Sequence, residues 1–426
     1  MTKYHQFKLP SGTPVCVAEM PYMESVSAGI WAGVGGRHDP ARLPGLAHFA
    51  EHMVFQGTAR RTARRLNREV ESAGGSMDAY TSEDHTAFFV RGPGEKFGGF
   101  MDVLTDLYQN SKFDAAVVQK ERDVIAEEIS MYREQPSQHV EDLLCRTLWP
   151  RHPLGQPIAG TEKSLERIEA EALKKHAKRY FGCGNSVISV AGRITLEEVK
   201  STLASLLPDG LARDEKPVTR TFRPTSRRVP AVVSETRDID QIQLALAFHA
   251  PGRLDRTQPA LRLLNVILGE NTSSRLWTEL REKRGLCYDA GSDITALQDT
   301  GVLHLYAGVD PDKFDKVLAV IFRELAKLAE KPITAVALRA AVDFSIAASR
   351  MALESTSHQM TMMAESLLLY DRFVELEAVE RKLRAVTPAQ IQSVAAAIFR
   401  PGRLTAAMVG PEMEHRMVTD AAAVLR

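Results

Sequence analysis

The chain has 426 residues, 44% of them hydrophobic, and its 54 lysines and arginines balance 54 aspartates and glutamates. That length buries a large core and divides into two or three domains, while a net charge of zero argues against nucleic acid or an anionic membrane as the main partner. The opening Met1 to Pro10 has no apolar h-region and no stretch approaches the length of a bilayer span, so the expectation is a soluble, cytoplasmic protein with no membrane partner.

Tyr4 to Glu19 predicts two short strands around Ser11-Gly12-Thr13, and Ser25 to Val34 predicts a third, rich in small and β-branched residues. The loop Gly35 to Pro40 then delivers the chain to Leu46-Ala-His-Phe-Ala-Glu-His-Met-Val-Phe-Gln-Gly57. Apolar Leu46, Phe49, Met53, Val54 and Phe55, bounded by Pro44 and Gly45 before and Gly57 after, predict a helix of about three turns. His48 and His52 are four apart and share one face of it. Two imidazoles so placed suit one divalent ion, most often zinc in catalysis. Glu51 lies beside that face, poorly aimed as a ligand but within reach of a metal-bound water, which makes it a general-base candidate. A tetrahedral catalytic zinc needs a third protein ligand and leaves its fourth position to water.

Ala63 to Ala73 predicts a helix capped at Gly74-Gly75, and Ser76 to Ser82 with Thr86 to Arg91 predicts a hairpin in which His85 is a polar structural residue. Phe97 to Gln109 is apolar at helical spacing, and Asp114 is a fitting N-cap for a long helix stopped by Pro136 near Gln135. On that helix Glu121 and Glu128 are seven apart and share a face, whereas Glu127 points elsewhere. A helical glutamate is ordinarily a solvated charge. Here one carboxylate is wanted, and Glu128 is best placed, with Glu121 two turns earlier as its supporting partner. Helices over Leu165 to Phe181 and Leu196 to Leu207 flank a strand from Ser186 to Gly192.

Pro208, Pro217, Pro224 and Pro230 sit among charges that include Arg227-Arg228, the best linker in the chain. The expected division is therefore an N-terminal domain over 1–212, a linker over 213–229 and a C-terminal domain over 230–426. The second half restarts the order of the first. A strand over Gln241 to Phe248 and Gly252-Arg253, matching Gly36-Arg37, precede a helix over Leu261 to Gly269. Registering Gly36 on Gly252 puts His48 over Leu264, Glu51 over Ile267 and His52 over Leu268, a copy that keeps the scaffold and lacks the metal. Leu280 to Tyr288 reads as a helix end capped at Gly285, or as a segment whose Arg281 and Tyr288 donate hydrogen bonds to a substrate. Further helices are expected over Asp312 to Leu328, behind Asp310 and Pro311, and over Thr334 to Ala348, with a final strand near Leu404 to Val409. Cys16, Cys145, Cys183 and Cys287 have no metal-ligand spacing and are expected as reduced thiols.

His48-Phe-Ala-Glu51-His52, the inverse of the commoner zinc-protease order, with Glu121 and Glu128 downstream, resembles the pitrilysin, insulysin and mitochondrial processing peptidase family. The resemblance spans nearly the whole chain, through Gly36-Arg37 to Gly57, Gly74-Gly75 to Thr81, Glu121 to Ile129, and Ser273-Ser274-Arg275-Leu276 to Tyr288. It implies a zinc endopeptidase with one zinc per chain. His48, His52 and Glu128 are then the ligands, Glu51 is the base that activates the zinc-bound water, and Arg281 and Tyr288 are the substrate-binding pair. It implies that Ser76 to Ser82, including Asp78, Ala79, Tyr80 and Thr81, is the edge strand on which substrate is laid. Asp78 stands where many relatives have Asn.

The implied fold is α+β: two similar tandem domains, each a mixed sheet covered by helices. Long members carry four such domains around a chamber, so a chain of this length is expected to build the chamber as a homodimer with composite active sites, a heterodimer with a related chain being the alternative. Two other readings share the fold: a protease dedicated to removing one precursor's leader, and a non-catalytic assembly subunit. Relatives of the last kind lose the equivalents of His48, Glu51, His52 or Glu128, and all four are present here.

Overall fold

The computed structural model describes residues 2–222 and 228–425. Pro224 and Arg227 of the expected linker lie outside the described residues. Contacts group the chain into two compact units, the first of Met1–Ile129, Gln156–Arg220 and Ser349–Glu375, the second of Ser130–Gly155, Thr221–Ala348 and Leu376–Arg426. Packing thus follows chain order only in part. The segments 130–155 and 349–375 each join the unit built mostly from the other half, for a reason visible in the sheets.

The first unit holds strands β1 (Lys3–Lys8), β2 (Pro14–Glu19), β3 (Ser25–Ala32), β4 (Ser76–Thr81), β5 (Thr86–Pro93) and β6 (Ser186–Gly192). They form one sheet in the order β1-β2-β6-β3-β5-β4, antiparallel except for the parallel pair β2 and β6. All seven residues of β6 are buried, as a central strand covered on both faces requires. Helices α1 (Leu46–Val54), α2 (Ala63–Ser72) and α3 (Phe97–Asn110) cover one face and share its core, where Phe49, Met53, Leu66, Phe88 and Phe100 are fully buried.

The opposite face is covered by the helix Thr356–Tyr370, which contributes Met360, Met363, Ala364 and Leu367 against Trp31, Val187 and Ala191. Small residues let it approach closely. Ser27 Oγ lies 2.9 Å from Thr356 Oγ1, Ser189 Oγ donates to the Met360 carbonyl at 2.7 Å, and Tyr4 OH donates to Gln359 Oε1 at 2.9 Å.

The second unit repeats this plan. Strands β7 (Ala231–Thr236), β8 (Ile242–Pro251), β9 (Cys287–Ala296), β10 (Thr300–Val309) and β11 (Leu404–Gly410) are ordered β7-β11-β8-β10-β9, again with one parallel pair, β7 and β11. Strand for strand this matches β2-β6-β3-β5-β4, so the duplication read from one sequence register is a duplication of topology. Helices α4 (Ala115–Glu134) and α5 (Pro136–Leu148) meet at Pro136. Val140, Leu144 and Leu148 of α5 pack on Ala245, Ala247, Ala407 and Val409 of this sheet, as the helix Thr356–Tyr370 packs on the first. Each sheet needs an apolar helix on its second face to keep its central strands dry, and the chain supplies it by exchange.

Pro136 was expected to stop a helix. It ends α4 and also opens α5, because proline is tolerated in a first helical turn, where its missing N–H has no partner to lose. α5, β7, β9 and β10 go beyond the elements expected from the sequence. β9 carries Asp289, Gly291 and Asp293, residues that lower strand propensity and take their conformation from pairing with β10. No single helix among the described residues is long and apolar enough to cross a membrane.

Candidate metal centre

α1 buries Leu46, Phe49, Ala50, Met53 and Val54 in the first core. His48 and His52, whose side chains are 12% and 22% exposed, lie toward α4. The helix begins at Gly45, whose φ of +91° suits glycine and where a Cβ would come within 2.7 Å of the Ala159 carbonyl oxygen. Gly45 has no side chain to cap the free N–H groups. Asp39 does so from the preceding loop, accepting from Gly45 N at 2.8 Å and Ala47 N at 3.0 Å. Burial pushes its carboxyl up to about 8 against the pull of those N–H groups.

α4 brings Glu128 to the histidines. Its Oε2 lies 3.8 Å from His48 Nε2 and 3.6 Å from His52 Nε2, and one donor atom from each of the three residues lies within 4.8 Å of the others. Two imidazole nitrogens and one carboxylate oxygen gathered this closely are a donor set suited to a catalytic zinc, so the residues present fit the ion and would hold it. Burial, followed by the neighbouring His52, pushes His48 down to about 3, which keeps its imidazole neutral and its lone pair free for a metal. Glu121, two turns before Glu128, places Oε2 3.6 Å from His52 Nδ1, beyond a good hydrogen bond but on the nitrogen that faces away from Glu128.

Glu51 is 8% exposed and its Oε2 accepts from Thr81 Oγ1 at 2.9 Å. Burial raises its carboxyl to about 7, opposed by the Thr81 hydroxyl and reinforced by the charges of Glu128 and Asp78. Of the expected substrate strand, Asp78 accepts from its own neighbour's Ala79 N at 2.8 Å, and Tyr80 OH lies 3.1 Å from His85 Nε2. His85 thus belongs to the hairpin, as read, and not to the donor set. The sequence pattern gave no sign that Thr81 holds Glu51 or that Asp39 caps α1. A hydroxyl thirty residues away and a carboxylate in a loop have no local signature.

In the second unit Leu264 and Leu268, the positions registered on His48 and His52, are wholly buried. Apolar side chains there have become core. Arg281 and Tyr288 are adjacent, the guanidinium carbon lying 4.6 Å from the Tyr288 ring centroid, and Tyr288 is 77% exposed. The four cysteines are free thiols.

Comparison with known proteins places these features in a family. Residues 15–162 match the model described as Insulinase (Peptidase family M16), and residues 167–343 match Peptidase M16 inactive domain. The chain is 30% identical over 398 residues to an uncharacterized zinc protease of Bacillus subtilis, covering 92% of this chain and 95% of that one. It is 30% identical over 411 residues to an uncharacterized zinc protease of Mycobacterium tuberculosis, covering 96% and 93%. A protease from Helicobacter pylori has the same fold, with a TM-score of 0.90 at 23% identity over 96% of this chain and 100% of its own. The chain belongs to the insulinase family of peptidases, with an insulinase-type N-terminal domain followed by the family's inactive domain.

Proposed function

We propose that this protein is a zinc endopeptidase that cuts peptides or unfolded polypeptide segments. The observation that carries the reading is the convergence of His48, His52 and Glu128, with the buried Glu51 carboxylate on the same helix as the two histidines. His48, His52 and Glu128 hold one zinc per chain. Bound there, zinc supplies Lewis acidity to a scissile carbonyl and lowers the pKa of a water toward neutrality. Glu51 takes the proton of the attacking water and passes it to the leaving amine, and Thr81 fixes the carboxylate for that transfer. β4 ends its sheet, so its outer N–H and C=O groups offer an edge on which an extended peptide adds as a strand along Asp78, Ala79, Tyr80 and Thr81.

In this reading two copies pair into a chamber, and Arg281 and Tyr288 of one copy serve the metal centre of the other. Full retention of all four metal-site residues weighs against a purely structural subunit. The test is zinc content and cleavage of a mixed peptide library by the unaltered protein and by Glu51→Gln. One zinc per chain in both, with cleavage only in the former, is expected; no zinc in either overturns the reading. Mixing Glu51→Gln with Tyr288→Phe, each inactive alone, should restore about a quarter of the activity, because random pairing gives one intact site in half of the dimers. No recovery after subunit exchange would refute composite sites.

A further inference from the structure

Trp277 and Arg281 lie four residues apart in a short π-helical stretch, Trp277–Glu282, that leads into Cys287 and Tyr288 at the start of β9. The Arg281 guanidinium carbon sits 4.3 Å from the Trp277 ring centroid and 4.6 Å from that of Tyr288. Both are well inside the distance at which a cation is attracted to an aromatic ring, and both rings engage one planar group. No carboxylate or carbonyl among the described residues accepts from the Arg281 side chain. The neighbouring Lys283 and Arg284 are instead paired with Glu279, Lys283 Nζ lying 2.6 Å from Glu279 Oε1. Of the three cations Arg281, Lys283 and Arg284, the one that lies against two aromatic rings is the one whose N–H donors are unspent.

An unpaired arginine on a flexible stem must give up rotamer freedom when it binds an acceptor, and that loss weakens binding. Aromatic rings against the guanidinium remove much of the freedom in advance without consuming an N–H, because they engage its charge and plane rather than its donors. Tyr288 alone, mostly exposed, is a weak wall. Trp277, half-buried and in a helical stretch that Leu276 and Leu280 tie to the core, is the firmer one.

We propose that Trp277 is a positioning residue, which holds the Arg281 guanidinium against Tyr288 with its N–H donors presented to an acceptor oxygen of a bound peptide. The inference rests on the peptide-binding role given to Arg281 above. It predicts that Trp277→Ala raises KM for a fluorogenic peptide three- to tenfold, with kcat within twofold. Trp277→Phe, which keeps a ring, restores KM to within about twofold of the unaltered protein.

The deciding measurement is a double-mutant cycle in full-length protein. It reads KM for the active forms and, separately, anisotropy of a labelled peptide bound to forms carrying Glu51→Gln, with thermal unfolding followed for each variant. If Trp277 acts through Arg281, Trp277→Ala has no further effect once Arg281→Ala is present. Equal losses in both backgrounds overturn the positioning role while leaving Arg281 a peptide ligand. An unchanged KM and affinity for Arg281→Ala itself overturns the underlying reading and the inference with it. Recovery failing in Trp277→Phe, with folding intact, also overturns the inference.

Discussion

Replacing Asp106 by alanine should cost about 3 kcal/mol of stability, and the structure says why the figure is neither larger nor smaller. Asp106 lies on α3 at 1% exposure. Its Oδ2 accepts from Thr58 Oγ1 at 2.7 Å and Arg61 at 2.8 Å, and its Oδ1 from Asn110 Nδ2 at 3.0 Å and Arg60 Nε at 3.1 Å. Thr58 and Arg61 belong to the loop that leaves the helix carrying His48 and His52, so this carboxylate fastens the exit of α1 to α3. Breaking a buried ion pair costs roughly 3–5 kcal/mol when it strands the partner charge. Arg61 is not stranded, since it keeps Asp102 and Glu69, which puts its share near or below the low end. Arg60 is half-exposed and its bond, screened by water, adds at most about 1 kcal/mol.

The buried Thr58 hydroxyl loses its acceptor at a cost of about 1–3 kcal/mol, part of which a water entering the space recovers. A loss of about 3 kcal/mol is roughly a hundredfold in the unfolding equilibrium. Urea unfolding at pH 7, followed by circular dichroism with slope and midpoint both fitted, measures it. Asp102→Ala, which removes a partly exposed carboxylate from the same arginines, is the control and should cost about 1 kcal/mol. A loss below about 1 kcal/mol for Asp106→Ala, or one no larger than the control's, would refute the network as the fastening of α1. Against the opposing effect of burial, Arg61 and its other partners hold the Asp106 carboxyl below the ordinary carboxylate range. Its contribution is thus present at neutral pH and lost on acidification, and the variant should lack that part of the acid limb.

Other consequences are equally specific. Gly45→Ala places a Cβ where φ is +91° and the Ala159 carbonyl is 2.7 Å away; about 1–3 kcal/mol of stability should be lost, with weaker zinc binding because the start of α1 must move. Chelator competition on Glu121→Gln should give zinc affinity ten- to a hundredfold weaker with stoichiometry near one, as expected for a residue that orients a ligand, and affinity within threefold would contradict it. His304 is flanked by Glu141 at 3.0 Å and Asp293 at 3.2 Å. Burial opposes its charge, but the two carboxylates raise it to about 9 from an ordinary 6.5. A raised folded-state pKa contributes stability that is complete below about 6.5 and lost as pH rises through 9. His304→Gln should flatten the stability curve across that interval, and an unaltered slope would show the clamp to be uncharged.

The local parts of the site are written in the sequence because they depend on periodicities shorter than a helix. His48 and His52 share a face of α1 by their spacing alone, Glu121 and Glu128 share one of α4, and the leucines at 264 and 268 mark which half lacks the histidine pair. The doubling of the fold was legible as one register, Gly36 on Gly252, and the matching strand orders extend it to the whole sheet. What spacing does not carry is contact across sequence distance. That Glu128 meets both imidazoles, that Thr81 holds Glu51 and that Asp39 caps α1 depend on how α4, β4 and a loop pack, and packing is decided by complementary surfaces that have no period along the chain. The same holds for the exchange of α5 and the helix Thr356–Tyr370. α5 is an ordinary amphipathic segment and Thr356–Tyr370 an apolar-rich one without a marked face, and either sheet offers small, apolar residues to receive them. Only the tertiary structure decides that α5 covers the second sheet and the later helix the first.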